Sequence, residues 1–473
     1  MIIAHVENTM NPLANDVDKD HLYNIGSGKC ASKETKDFLL HVHENGTKLR
    51  EAFTSECIKD PKRFEKKIPL QKLHTFASEG QKYKMKANEK LAVVKMERDL
   101  FGSILFMSLQ HQIDVGELFK FPLTPVPLSL CHVDGSMLKT QKSKLMQELE
   151  QRIVSTDPGH VDVTIVDGMF FLHLLKDPPM LMGDISTFIL RKVCKIDSNE
   201  IHLVFDRIVK PSIKDCERDS RSGIADRTES YVIVGPSQKR PSDFGAALRN
   251  DNFKTSFLKY LVSSWDNQKL KNIVESKVIY VTDDMQCHQI KVVDDKLIKT
   301  EQFHMFCSHE EADTRMIFHT KCINGGKVVV IRNNDTDVLI CFLANFHLLD
   351  PSLKVWLEVG VEGSNSLRYI DLNKLHAKLG RKFCMALAAF HAFTGCDYCA
   401  SFYRKGKLKA LKILSNSEEF QDMFISLGDD CDLQDIQLLV EKFVCKMYCQ
   451  KKLTSVDEVR AAMFLKRYKP FQE

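Results

Sequence analysis

Seven acidic residues stand where a fold can gather them. Asp167 ends the apolar run VTIV, Asp206 ends HLVF, and Asp335 and Asp337 follow VVVIRNN. Glu311 and Asp313, with Glu310 adjacent, open the segment EEADTRMIFHTK, and Asp397 follows the apolar stretch FCMALAAFHAF in TGCDY. Ligands of open α/β sheets collect beyond the carboxyl ends of parallel strands, where loops lift side chains into one crevice. The spacing of two in NDTD allows Asp335 and Asp337 to face the same side. Seven carboxylates in one crevice repel one another unless cations hold them. Hard oxygen donors favour Mg²⁺ or Mn²⁺. Two such ions stabilise both the attacking and the leaving oxygen of a phosphodiester. Taken singly, each acid has an ordinary reading, since strand-end Asp residues form turns and acids suit a helix start. The chemical reading rests on their order and spacing.

These positions require particular elements. VDVTIVDG (161–168), IHLVFD (201–206), SKVIYVTDD (276–284) and KVVVIRNNDTD (327–337) are short apolar, β-branched runs separated by helix-like segments. Such runs predict strands buried on both faces of a largely parallel sheet. QIKVVDDKLIKT (289–300) carries an Asp pair between two alternating runs, which predicts a β-hairpin. Apolar residues at mixed three and four spacing predict helices over 32–56, 87–112, 433–449 and 455–468. The expected fold is α/β, with a largely parallel central sheet flanked by helices and with helical N- and C-terminal regions. The expected divisions are a polar lead-in over 1–32, a helical region over 33–120, the α/β core over 121–415 and a helical region over 416–473. The boundary near 121 follows from FPLTPVP, whose prolines cannot continue a helix.

Composition narrows the class. With 473 residues and 44% hydrophobic content the chain can bury a full core. A net charge of +4 with 27% charged residues imposes no global field, so any basic footprint must be local. Fifteen cysteines accompany an N-terminus without a basic segment followed by an apolar one. That combination predicts reduced thiols in the nucleus or cytoplasm. No run approaches the roughly 18 consecutive apolar residues of a membrane span, so no membrane partner is expected.

In their order along the chain, these segments resemble the flap-endonuclease branch of the PIN-like nuclease superfamily over about residues 160–415. The family's first strand, metal Asp and following helix are matched by IVDGMFFLHLL with Asp167, and its VFDG strand by LVFDR with Asp206. Its EAEA motif is similar to Glu311-Ala312-Asp313. Its EDSD motif is similar to Asn334-Asp335-Thr336-Asp337, and its GCDY motif is matched by Gly395-Cys396-Asp397-Tyr398. The resemblance implies a PIN-like core and a two-ion Mg²⁺ or Mn²⁺ phosphodiesterase acting on DNA or RNA. Asp167, Asp206, Glu311 and Asp313 would hold one ion, and Asp335, Asp337 and Asp397 the other. It also implies a Lys and an Arg over the scissile phosphate, supplied here by Lys214 with Arg218 or Arg221 in PSIKDCERDSRSG. Near His173, Phe170 and Phe171 the family stacks a base on an aromatic ring.

The chain departs from the family in two places. About 150 residues precede the first catalytic strand. The Gly-x-Gly turn that grips duplex DNA is replaced by Gly406 alone, among Arg404, Lys405, Lys407 and Lys409, which leaves phosphate contact by those cations as the expected substrate grip. Other features carry weaker readings. Cys396-x-x-Cys399 with Cys384 and His391 suggests zinc, but no second CxxC stands at finger spacing. Cys445 and Cys449 read as helix packing residues, and His309 and His319 as solvent-facing helix residues. The basic run 81–90 reads as a solvated face. Residues 222–275, with Lys239, Arg240, Arg249 and Lys254, lie where the family places an arch over its site. The alternative to a nuclease is a catalytically silent nucleic-acid-binding or scaffolding protein; a mobile-element nuclease serving recombination is a third reading.

Overall fold

The computed structural model describes residues 20–23, 30–60, 63, 74–76, 127–132, 136–209, 212, 214, 231–360, 366–427, 433–448 and 453–467. The helix expected over 87–112 and the basic run 81–90 lie outside these residues, as do Arg218, Arg221 and Cys449. The chain forms two compact units, Met1–Pro127 and Leu128–Glu473.

The first unit contains α1 (Lys33–Leu40) and α2 (Val42–Lys59). Ser32 Oγ caps α1 by accepting the Thr35 N–H at 3.2 Å, as a serine N-cap does for an otherwise orphaned donor.

The second unit is built on a sheet. Its elements run α3 (Ser143–Glu150), β1 (Val163–Asp167), α4 (Gly168–His173), α5 (Met182–Cys194), β2 (Glu200–Val204), α6 (Asp251–Ser264), β3 (Val278–Asp283), β4 (Gln286–Val293) and β5 (Lys296–Glu301). They continue with α7 (Ala312–Lys321), β6 (Val328–Arg332), α8 (Thr336–Asn345), β7 (Lys354–Val359), β8 (Arg368–Asp371), α9 (Leu372–Leu379) and α10 (Arg381–Phe393). Last come α11 (Lys407–Ser415), α12 (Glu418–Ser426), α13 (Leu433–Met447) and α14 (Val456–Arg467). Among the described residues the sheet has eight strands in the order β5-β4-β3-β2-β1-β6-β7-β8.

The pairs β3–β2, β2–β1, β1–β6 and β6–β7 are parallel. The flanking pairs β3–β4, β4–β5 and β7–β8 are antiparallel. The β4–β5 hairpin turns through Asp294 and Asp295 at φ 47° and 60°, a left-handed pair that acidic and amide side chains tolerate. The sheet separates two cores. Ile165, Val329, Ile331 and Val355 join Phe342, Leu387, Phe390 and Phe424 in one. Leu203, Ile279 and Val281 join Ile189, Phe253, Phe257 and Trp265 in the other. Phe420 of α12 and Phe443 of α13 pack into the first of these cores, so these two helices share a core with the sheet.

From β1 the chain winds outward through β2 to β3, and later returns to the other side of β1 through β6 and β7. The strand order therefore reverses between β1 and β6, and a doubly wound sheet opens its crevice at such a point. Asp167 ends β1, and Asp335 follows β6.

The junctions after β1 and β2 lock together through one glycine. A Cβ at Gly168 would lie 2.3 Å from Phe205 Cε1, inside any real contact distance. Gly168 follows Asp167, and Phe205 precedes Asp206, so this close approach brings the two acids' strand ends together. Gly168→Ala is expected to lower unfolding free energy by about 1–3 kcal/mol, the usual effect of overpacking. Equilibrium denaturant unfolding measures it, and a variant as stable as the parent would contradict the steric account.

Toward the amino-terminal ends of β2 and β6 lies a partly buried network. His202 Nε2 meets Glu200 Oε1 at 2.9 Å, and His202 Nδ1 meets His319 Nδ1 at 2.9 Å. Lys327 Nζ binds Glu200 Oε2 at 2.7 Å. His319 thus departs from the solvent-facing expectation: it is fully buried, because α7 turns its Arg315, Met316, His319 and Thr320 face inward. Burial pushes both imidazoles below their ordinary value. Burial also works against the Glu200 carboxylate, but His202 and Lys327 outweigh it and hold the group at about 2.

Candidate metal centre

Three helix N-termini open on the crevice, and acids occupy each of them. Asp167 Oδ1 accepts the Phe170 N–H at 3.0 Å at the start of α4. Asp335 Oδ1 accepts the Asp337 N–H at 3.0 Å at the start of α8. Asp206 Oδ1 reaches from the end of β2 to the Ala312 N–H at 2.8 Å, where Glu311 is the N-cap of α7. The positive end of each helix dipole offsets part of the gathered negative charge. Asn333 ties two strand ends together: its Nδ2 donates to Asp167 Oδ2 at 3.3 Å, and its Oδ1 accepts the Asp335 N–H at 2.7 Å.

Asp397 comes from the loop after α10. Gly395 there has φ 108°, and a Cβ on it would lie 2.7 Å from Ser401 Cβ, so glycine is required for the turn. Asp335, Asp337 and Asp397 place three carboxylate oxygens within 4.8 Å of one another, a group able to hold a metal ion. Asp337 Oδ1 also accepts from His391 Nε2 at 2.9 Å, which orients the carboxylate from the protein side. Tyr398 Oη donates to Glu311 Oε1 at 2.7 Å, linking this loop to α7.

Two lysines enter the acidic set. Lys142 Nζ lies 2.8 Å from Asp335 Oδ1 and 3.1 Å from both Asp337 Oδ2 and Asp397 Oδ2. Lys214 Nζ donates to Asp206 Oδ2 at 2.9 Å and also to Glu311 Oε2. Burial works against both ammonium groups, yet the surrounding carboxylates raise them above their ordinary value. Lys142, Ser143, Asp167, Phe170, Asp313, Asn333 and Asp335 are among the lining of an open cleft of about 410 Å³.

The electrostatics record the crowding. Burial, then the charge of Asp206, pushes the Asp167 carboxyl up to about 6. Asp313 is pushed well above the usual range by burial and then by Asp167, Asp335, Asp206 and Glu311. Asp337 moves the other way: burial opposes ionisation, but His391 and Lys142 hold it low. A divalent ion fits this donor set, because the oxygens are hard, converge, and already surround a cation in the form of the Lys142 ammonium.

The structure thus brings Asp335, Asp337 and Asp397 together, and Asp206 with Glu311 around Lys214. Asp167 feels the charge of Asp206, and Asp313 feels acids of both groups, Asp335 as well as Asp206 and Glu311. Lys407 requires a correction. Expected among the phosphate-contacting cations, it is 2% exposed. Its ammonium donates to His391 O at 2.8 Å and Thr394 Oγ1 at 2.9 Å, satisfying the C-terminal end of α10. Burial brings it down to about 8. Arg404 and Lys409 remain exposed and Lys405 half-buried beside Gly406, with Lys405 Nζ 4.5 Å from the Tyr448 ring centroid.

The zinc alternative does not assemble. His391 turns to Asp337 and Cys384 is buried in the hydrophobic core, while Cys396 N–H bonds Cys399 O at 3.1 Å and shapes the Asp397 loop. Sequence reasoning missed Lys142 and Asn333, and took His391 only as a zinc candidate. An NN pair before the DTD triplet was a signal for Asn333; Lys142, one of three lysines in LKTQKSK, offered none. No helix among the described residues is long and apolar enough to cross a membrane. No protein-family model matches the chain, and no curated protein matches it either.

Proposed function

We propose that the chain is a divalent-metal-dependent phosphodiesterase acting on DNA or RNA, built on a PIN-like core of the flap-endonuclease type. The observation that carries this reading is the convergence of Asp335, Asp337 and Asp397, from two distant segments, around one cationic centre at the sheet's switch point. Asp167, Asp206, Glu311 and Asp313 would hold one Mg²⁺ or Mn²⁺ ion, and Asp335, Asp337 and Asp397 a second. Such ions, when bound, lower the pKa of water to supply hydroxide and neutralise the charge developing on the phosphate.

The chain's own residues supply rigidity and orientation. Asn333 fixes Asp167 relative to Asp335, His391 orients Asp337, and Tyr398 orients Glu311. The dipoles of α4, α7 and α8 favour ionised acids at their N-termini. Lys214, held beside Asp206 and Glu311, is a cation at that half of the site and the candidate among the described residues for orienting a phosphate. No side-chain nucleophile is required.

A second reading is favoured by one specific observation. Lys142 and Lys214 neutralise part of the acidic cluster internally, as a catalytically silent nucleic-acid-binding or scaffolding protein would permit. The test is incubation of the purified chain with labelled flap, single-stranded and duplex DNA and RNA, in Mn²⁺, Mg²⁺ or chelator. Metal-dependent cleavage supports the phosphodiesterase. Gel retardation without cleavage under any condition supports the silent protein.

A further inference from the structure

We infer that Lys142 is a tethered counter-ion that holds the Asp335–Asp337–Asp397 subsite and must withdraw before a divalent ion enters it, so that Lys142 sets the affinity of that subsite for metal. This inference rests on the two-ion reading above.

Its basis is position. The Lys142 ammonium lies 2.8–3.1 Å from one oxygen of each of the three carboxylates, which themselves lie within 4.8 Å of one another. An ammonium and a divalent ion that use the same three donors cannot both occupy that space, and their like charges repel. The lysine is also presented by a fixed support. It immediately precedes α3, whose Leu145, Met146 and Leu149 are buried in the main core. A competitor anchored in this way acts at an effective concentration that no free ion in solution can dilute.

Withdrawal is sterically available. The Lys142 side chain keeps 24% of its exposure and lines the open cleft with Ser143 and Phe170. Its four-carbon stem can therefore swing outward while α3 stays in place. The Asp335 and Asp337 carboxylates keep their places when it leaves, because independent contacts hold them. Asp337 keeps His391, and Asp335 keeps the Asp337 N–H and its own N–H bond to Asn333. The subsite is thus assembled by the fold and only occupied by the lysine.

The experiment is a Mn²⁺ titration of the full chain at neutral pH, followed by electron paramagnetic resonance of free ion and by calorimetry. Wild type is compared with Lys142→Met, Lys142→Arg and Asp335→Asn/Asp337→Asn. Lys142→Met keeps the methylene packing and removes the charge, and is expected to bind one ion at least about tenfold tighter than wild type. Lys142→Arg retains a cation and is expected to bind no tighter than wild type. The double Asn variant is expected to lose the ion that Lys142→Met gains. Thermal melting checks each fold: without metal, Lys142→Met melts below wild type, and saturating Mn²⁺ raises its melting temperature by more than it raises that of wild type. Equal or weaker Mn²⁺ binding by folded Lys142→Met overturns the inference and leaves the two-ion reading standing. Absence of Mn²⁺ binding by every protein overturns the two-ion reading and the role of Lys142 together.

Discussion

Asp335→Asn/Asp337→Asn is expected to reduce metal-dependent cleavage by about 10³-fold or more, because it removes two of the three charged donors of one subsite. The choice of Asn matters. Asp335 Oδ1 accepts the Asp337 N–H that begins α8, and alanine at an N-cap costs about 1 kcal/mol of helix stability. The amide retains an accepting oxygen, so the loss of activity is separated from the loss of the cap. Two opposing effects act on stability. Fewer like charges remain beside Asp313 and Asp167, but the Lys142 ammonium keeps only Asp397 of its three carboxylates. Asp335→Ala/Asp337→Ala, which also loses the cap, should be equally inactive and less stable than the Asn pair. Single-turnover cleavage with labelled substrate, beside circular dichroism melting, distinguishes these outcomes. Undiminished cleavage by the Asn pair would refute the assigned subsite.

The second large effect is on stability against pH in the metal-free protein. The Asp167 carboxyl titrates at about 6 in the fold against 3.8 in an unperturbed chain, with burial as the main cause and the charge of Asp206 next. Between these values the folded state binds more protons than the unfolded one. The favourable contribution is therefore fully present below about pH 4 and is lost as pH rises through about 6. The shift corresponds to about 3 kcal/mol. Asp313, pushed upward by burial and by Asp167, Asp335, Asp206 and Glu311, acts in the same direction. In chelator, wild type should lose more stability than Asp167→Asn between pH 4 and 7, measured by urea unfolding at each pH. Mg²⁺ or Mn²⁺ binds the ionised acids, so the stabilisation it confers should grow over the same interval. Parallel pH curves for wild type and Asp167→Asn would refute the origin assigned to this shift.

How far the site was legible in the sequence differs from residue to residue. Asp167 and Asp206 stood out because a buried parallel strand writes itself as an apolar β-branched run, and the first polar residue after it marks the strand's carboxyl end. Asp335 follows such a run after three further polar residues. The β4–β5 hairpin was legible for a similar local reason, since Asp294-Asp295 interrupts two alternating runs. Lys407 was misleading. Its neighbours Arg404, Lys405 and Lys409 form a basic segment, and nothing local says that one of four cations points inward to close the end of α10. His319 misled likewise, because its burial comes from the packing of α7 against the sheet and leaves no trace in residue spacing.

The sequence by itself determined β1, β2, β3, β6 and the β4–β5 hairpin, with the acids that follow β1, β2 and β6, because these follow from periodicity along a short run. It left β7 and β8 unmarked. Only the tertiary structure decided which side chains meet. The reversal of strand order between β1 and β6 makes Asp167 and Asp335 neighbours, and the return of the chain after α10 brings Asp397 to Asp335 and Asp337. The same long-range packing carries Lys142, from a segment with no chemical signature, to the centre of the three aspartates. Contacts between residues so far apart in the chain arise from how helices cover a sheet, and a residue's immediate neighbours do not encode them.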